Sequence, residues 1–246
     1  MSNWKLIMVL CLGGFQMLLG QQAQFEAGNK AYREGDYSEA ILQYESLLQS
    51  GWENATLYYN LGNAQYKKAR LGEAVWAYEK ALQLAPTHQD AAANRQLVQT
   101  LLVDEIEAVP MPLVERYFRL WADGLGRNGF RWLSISWLWI MAAAWSFWRI
   151  KKSRWSVLTM AAALFLLLVS VLSWGIYERL TAGEQKAVII VENVYVKTAP
   201  SDAAPDAFVL HEGTMVQLET VLEDWQEIRI ADGQVGWLHP SALKNL

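Results

Sequence analysis

Apolar positions are spaced in three successive ways along the chain, and each spacing predicts a different architecture. From about residue 21 to residue 107 they recur every three to four positions, the mark of amphipathic helices. Two nearly unbroken apolar runs follow, 132–150 and 156–177, separated by a short basic stretch. After residue 186 the pattern changes to period two, with β-branched runs broken by "APSDAAPDA", "HEG", "LED" and "ADG". That pattern predicts short strands and tight turns, "ADG" being a hairpin signal because Asp-Gly tolerates positive φ. A separate apolar run, 6–19, lies at the N-terminus behind Lys5.

The helical region repeats itself. Gly28 and Gly62 are 34 positions apart, as are Asn29 and Asn63, Tyr32 and Tyr66, Ala40 and Ala74, and Tyr44 and Tyr78. A period of this length predicts paired antiparallel helices stacked into an array. Small Gly28, Gly62, Ala40 and Ala74 would allow close helix approach, and Tyr44 and Tyr78 would fill the space between neighbouring repeats. The stretch "ATLYYNLGNAQYKKARLGEAVWAYEKALQLAP" resembles the tetratricopeptide repeat family, with Leu61, Gly62, Ala74, Tyr78, Ala81 and Pro86 on its marked positions. The first repeat departs from the pattern, with Trp52 at the closing proline position. Residues 87–107 are expected to form a long covering helix, stopped by the prolines at 110 and 112.

The array's inner face is the candidate binding groove. Asn29, Tyr32 and Arg33 recur as Asn63, Tyr66 and Lys67, one turn apart on one helix face. Asn can bond an extended peptide backbone and the cations can meet a carboxylate, so an acidic or C-terminal tail is the natural ligand. The same residues would also serve as ordinary packing and solvated positions. The family's carboxylate clamp has a Lys where this chain has Phe25.

Run 132–150 gives roughly 28 Å of helix and run 156–177 more, each enough for a bilayer core. Trp132, Trp148, Trp155, Trp174 and Tyr177 sit at the predicted interfaces. Arg149, Lys151, Lys152 and Arg154 form the basic cluster between the runs, and short basic loops stay cytoplasmic. The N-terminal run has the layout of a secretory signal, so the repeats and the C-terminal segment are both expected outside the cytoplasm. Residues 113–131 mix aromatics with arginines and predict a helix lying in the interface.

The C-terminal segment resembles a bacterial SH3 domain. "VYVKTAPS", "LHEGTMVQL" and "DWQEIRIADGQVGWLHPSAL" carry the likeness, with Tyr195 and Lys197 replacing the family's Asn and Arg. Tyr195, Trp225 and Trp237 are its candidate ligand or core residues, the two tryptophans chiefly core.

Composition narrows the function classes. The chain has 246 residues, 53% of them hydrophobic, 13 tryptophans and a net charge of −4, which suits a membrane protein and argues against nucleic acid as partner. Cys11 is the only cysteine and lies within the signal run, leaving no disulfide or thiolate metal site in a processed chain. His88, His211 and His239 have no metal-ligand spacing, and no nucleophile elbow, phosphate loop or dinucleotide fingerprint occurs. No enzyme, cofactor or metal is expected.

The expected fold class is therefore a multidomain membrane protein: an all-α tetratricopeptide array, a two-helix transmembrane hairpin and a C-terminal all-β SH3-like barrel. The boundaries read from the sequence are 1–20 signal, 21–108 repeats with cap, 109–131 linker and interfacial helix, and 132–150 first span. They continue with 151–155 cytoplasmic loop, 156–177 second span and 178–246 barrel. This order resembles the E-type branch of the Bacteroides aerotolerance (Bat) family. That resemblance implies an envelope scaffold linked to oxidative-stress tolerance, with von Willebrand A-domain Bat proteins as partners and an inner-membrane, periplasm-facing location. Two alternatives stay open: a peptidoglycan-binding adaptor that recruits an envelope enzyme, and a subunit of a secretion or gliding apparatus.

Overall fold

The computed structural model describes residues 20–107, 109–110, 112–181 and 185–246. The signal segment, residues 1–20, lies outside the described residues but for Gly20. The described residues of Met1–Ala108 together with those of Gln185–Leu246 form one compact unit, and those of Val109–Glu184 a second.

In the first unit five helices run in order: α1 (20–33), α2 (Tyr37–Gln49), α3 (Ala55–Lys67), α4 (Leu71–Leu84) and α5 (Gln89–Gln99). Each helix start from α2 to α5 but one is capped by a side chain that takes up an otherwise unpaired amide. Asp36 Oδ1 accepts from Glu39 N at 3.0 Å, Asn54 Oδ1 from Leu57 N at 2.9 Å, and His88 Nδ1 from Ala91 N at 3.2 Å. α4 starts at Arg70 with no side-chain cap.

The repeat signature reads directly as packing. Tyr44 and Tyr78 are buried against Gly28 and Gly62, where an added Cβ would stand 2.6 Å from each tyrosine Cε1. Ala40, Ala74 and Ala81 are fully buried between the helices. Trp52, at the first repeat's closing proline position, packs edge to face on Phe25 with centroids 5.4 Å apart. Gly62→Ala forces the Tyr78 ring out of its seat and is expected to destabilise the unit by about 2 kcal/mol, read as a lower denaturation midpoint. An unchanged midpoint would show that the ring has room to move.

The C-terminal strands are β1 (Lys186–Ile189), β2 (Asn193–Lys197), β3 (Asp206–His211), β4 (Met215–Leu222), β5 (Trp225–Arg229), β6 (Val235–Leu238) and β7 (Leu243–Asn245). They form one antiparallel sheet in the order β3-β2-β6-β5-β4-β1-β7, an arrangement consistent with an SH3-like barrel. Val196, Leu210, Val216, Leu218, Ile228 and Leu238 fill its centre.

Repeats and barrel share a core. In β1, Ala187 and Ile189 face the barrel interior, while Val188 on the opposite face belongs to the hydrophobic cluster of the repeats. Burial on both faces is why "AVII" is a continuous apolar run and not an alternating one. Around Val188, Trp76 Nε1 donates to Asn245 O at 2.8 Å and Gly72 N donates to Glu212 Oε2 at 3.0 Å. Lys244 Nζ bonds Glu73 and lies 3.9 Å from the Trp76 ring centroid. Gly72 is needed because a Cβ there would meet Ile189 O at 2.5 Å.

The helix expected to run to residue 107 ends at Gln99. The chain beyond it continues as a strap in which Leu102, Asp104 and Ile106 are half-buried while Val103, Glu105 and Glu107 are exposed. Leu102 packs on the repeat core and Ile106 on the barrel core. Between them Asp104 accepts from His211 N at 2.7 Å and Thr214 Oγ1 at 2.6 Å, and pairs with His211 Nδ1 at 2.6 Å. These bonds outcompete helical continuation.

Burial alone would raise the Asp104 carboxyl, but the bonds from Thr214 and His211 outweigh it and hold the pKa below the ordinary carboxylate value. A depressed folded-state pKa stabilises above the unfolded value, and that contribution is lost as pH falls through the folded one. Lowering the pH below about 4 is therefore expected to loosen the strap, seen as faster amide exchange at His211. Asp104→Asn should abolish this acid-dependent step; if the step persists unchanged, another carboxylate is responsible.

The second unit holds α6 (Leu113–Lys151) and α7 (Arg154–Thr181), packed against each other. Gly126, at φ 64° and ψ 172°, breaks α6 into two stretches. Ser134 Oγ and Ser170 Oγ lie 3.1 Å apart between the helices, and the Phe130 and Tyr177 rings are 5.6 Å apart. The turn is two residues long, with Lys152 left-handed at φ 49° and its amide donating to Trp148 O at 2.9 Å. Two spans were expected, but among the described residues one helix, Arg154–Leu180, is long and apolar enough to cross a membrane, with mean hydropathy 2.4 and 17% of its most apolar window buried; run 132–150, diluted by its tryptophans and serines, falls short of that mark.

Candidate functional site

The repeat periodicity places the six candidate groove residues on α1 and α3. They line two adjoining hollows, which have Tyr32 and Asn63 in common. The first, about 210 Å³, is bounded by Asn29, Tyr32, Arg33, Tyr44, Asn60 and Asn63. The second, about 250 Å³, brings Tyr66 and Lys67 together with Tyr59, Asn94 and Leu97.

A hydrogen-bond ladder fixes the asparagines. Asn29 Oδ1 accepts from Tyr44 Oη at 2.9 Å and from Asn60 Nδ2 at 2.9 Å. One repeat later Asn63 Oδ1 accepts from Tyr78 Oη and Asn94 Nδ2, both at 2.8 Å. Each inner asparagine therefore has its carbonyl doubly occupied; Asn63 offers its amide N–H groups, Asn29 Nδ2 donates to Glu26 Oε2 at 3.5 Å and keeps one N–H, and Asn60 and Asn94 keep carbonyl oxygens to accept.

The tyrosines hold this arrangement by staying protonated. Burial, reinforced by Tyr32, pushes the Tyr44 hydroxyl up to about 12, and burial raises Tyr78 further. Both therefore remain donors to the asparagines throughout the neutral range. At the rim, Arg33 and Lys67 are exposed and have no ion-pair partner among the described residues. Phe25 packs on Tyr44 with centroids 6.0 Å apart, so its position carries core packing where a clamp would carry a cation.

The sequence pointed to six groove residues and passed over Tyr59, Asn60, Asn94 and Leu97. The signal was there for two of them: Asn60 and Asn94 are themselves 34 apart.

The barrel candidates do not share one environment. Trp225 is buried and stacks on His239, with centroids 4.1 Å apart. Trp237 is half-buried, because on β6 the inward positions are Gly236 and Leu238. Tyr195 is 57% exposed on the outer face of β2, opposite the exposed Val209 of β3. Lys197, two residues along β2 from Tyr195, pairs in register with Trp237 and bonds Asp206 at 2.7 Å.

The four basic residues Arg149, Lys151, Lys152 and Arg154 gather at the α6–α7 turn. Arg149 lies 5.6 Å from the Trp145 ring and Lys152 Nζ 4.0 Å from the Trp148 ring. Among the described residues no three His, Cys, Asp or Glu side chains group as a metal site would need.

Comparison with known proteins agrees with these two architectures. No curated protein matches the chain. Residues 55–88 match the tetratricopeptide repeat family and residues 191–245 match the bacterial SH3 domain family.

Proposed function

We propose that this chain is a membrane-anchored scaffold for protein–protein interaction, facing the periplasm from the inner membrane of a bacterium and serving a Bat-like aerotolerance and oxidative-stress system. It acts by binding and not by catalysis. The observation that carries this reading is the groove: asparagines fixed by buried tyrosines, with amide donors and carbonyl acceptors, and two cations without an ion-pair partner among the described residues suit an extended acidic or C-terminal peptide. The order of repeats, apolar helix pair and barrel supports the Bat connection, with a von Willebrand A-domain membrane protein as the natural owner of the peptide.

In this reading the second stretch of α6 and all of α7 form a transmembrane hairpin with its basic turn in the cytoplasm, so the repeats and barrel share the opposite side. Alkaline phosphatase fused after Glu107 and after Leu246 is expected to be active at both positions. Activity at one position alone would overturn the hairpin, and activity at neither would place both domains in the cytoplasm.

One observation favours a second reading. Tyr195, Val209 and Trp237 make a partly apolar outer face on the barrel, the kind of surface on which a sugar ring stacks. The barrel would then hold peptidoglycan while the repeats recruit an envelope enzyme. Sedimentation of the full chain with purified sacculi, lost on Tyr195→Ala, is the expected result of that reading.

A further inference from the structure

The first stretch of α6, residues 113–125, has three faces. Placed at 100° per residue, Phe118, Ala122 and Leu125 form one arc. This arc is packed: Ala122 is fully buried. At its edge Trp121 meets Phe130 edge-on at 5.4 Å, and Phe130 lies 5.6 Å from Tyr177. The chain of rings ties this stretch, across the break at Gly126, to the second stretch of α6 and to α7.

A second arc is polar and carries Glu115, Arg116, Arg119 and Asp123. Arg119 Nε bonds Glu115 Oε1 at 3.1 Å. Two acids and two bases leave the stretch with no net charge.

The third arc spans about 120° and is apolar and uncovered. Leu113, Val114, Tyr117, Leu120 and Trp121 are 68%, 83%, 69%, 63% and 49% exposed. So large a contiguous apolar surface is not left to water. Its continuation says what covers it: the same helix runs on past Gly126 into the apolar run 132–150, and the arc carries Tyr117 and Trp121, side chains of the kind enriched at a bilayer interface.

We propose that residues 113–125 lie in the interfacial layer of a phospholipid bilayer, with Leu113, Tyr117 and Leu120 facing the acyl chains, and that anionic headgroups contribute nothing to this insertion. The inference rests on the membrane reading of α6 and α7. Glu115 and Asp123 offset Arg116 and Arg119, and a polar face of no net charge gains nothing from a negative surface. The element is a shelf of fixed angle, held by the Trp121, Phe130 and Tyr177 rings.

The test uses the full chain carrying Cys11→Ser, reconstituted in vesicles and spin-labelled through Tyr117→Cys, Leu120→Cys or Asp123→Cys, with Leu168→Cys on α7 as reference. Collision with oxygen, which concentrates in acyl chains, is compared with collision with a water-soluble nickel chelate. Labels at 117 and 120 are expected to favour oxygen several-fold, equally in zwitterionic and in anionic vesicles, and the label at 123 to favour the chelate in zwitterionic vesicles. Chelate access at 117 and 120, or shielding there from both reagents by a protein neighbour, would overturn the proposal, as would insertion confined to anionic vesicles. A label at 168 that does not favour oxygen would instead sink the membrane reading on which the proposal stands.

Discussion

Reversing both rim cations, Arg33→Glu with Lys67→Glu, is expected to weaken capture of a carboxylate-bearing peptide about 100-fold, or about 2.8 kcal/mol, while leaving helicity and the unfolding midpoint unchanged. Both side chains are exposed and take no part in the ladder, so the fold does not depend on them. Each reversal removes one attraction and adds one repulsion in the same groove, which is why the effect exceeds that of a single exposed ion pair. The effect should shrink as salt is raised, since exposed charges are screened. Unchanged affinity would mean that the peptide lies elsewhere, or that it is held by the asparagines without the cations.

The second large effect concerns the join between repeats and barrel. Trp76→Ala is expected to cost about 3–4 kcal/mol and to lower the melting of the repeats and the barrel together. Trp76 is buried, packs edge to face on Tyr58 at 5.6 Å, donates to Asn245 O and underlies the Lys244 cation. Its removal opens a cavity, leaves the Asn245 carbonyl without its indole donor and takes the ring from under Lys244, all at one seam. Tyrosine fluorescence and strand-specific hydrogen exchange should report the same shifted midpoint. Destabilisation of the repeats alone would show that the barrel folds without them.

Much of this architecture was legible in the sequence because it is periodic. The 34-residue spacing picked out Gly28, Gly62, Tyr44 and Tyr78, although each tyrosine seats on the glycine of its own repeat where a place between repeats was expected, and the period-two segment with "ADG" located the β5–β6 hairpin. Less legible was whatever joins distant segments. Nothing local in "LVDEIE" says that it is a strap, because its partners, His211 and Thr214, lie more than a hundred residues away. Its alternating burial was nonetheless written in the order of Leu102, Asp104 and Ile106. Trp237 was expected chiefly in the core because burying an aromatic stabilises so small a domain, but the strand's own alternation assigns the inward positions to its small and aliphatic neighbours and leaves it half-buried. The site divides in the same way. The inner asparagines were visible as repeats, whereas the double occupation of their carbonyls depends on Tyr44, Tyr78, Asn60 and Asn94 converging from other helices.

The most direct test places a photo-crosslinking benzophenone amino acid at Tyr66 in the groove and, separately, at Tyr195 on the barrel, in living cells. The scaffold reading expects a protein adduct from position 66, its crosslinked peptide acidic or C-terminal and belonging to a membrane protein, and loss of that adduct on the double charge reversal. An adduct from position 195 to cell-wall material, with none from position 66, would contradict it.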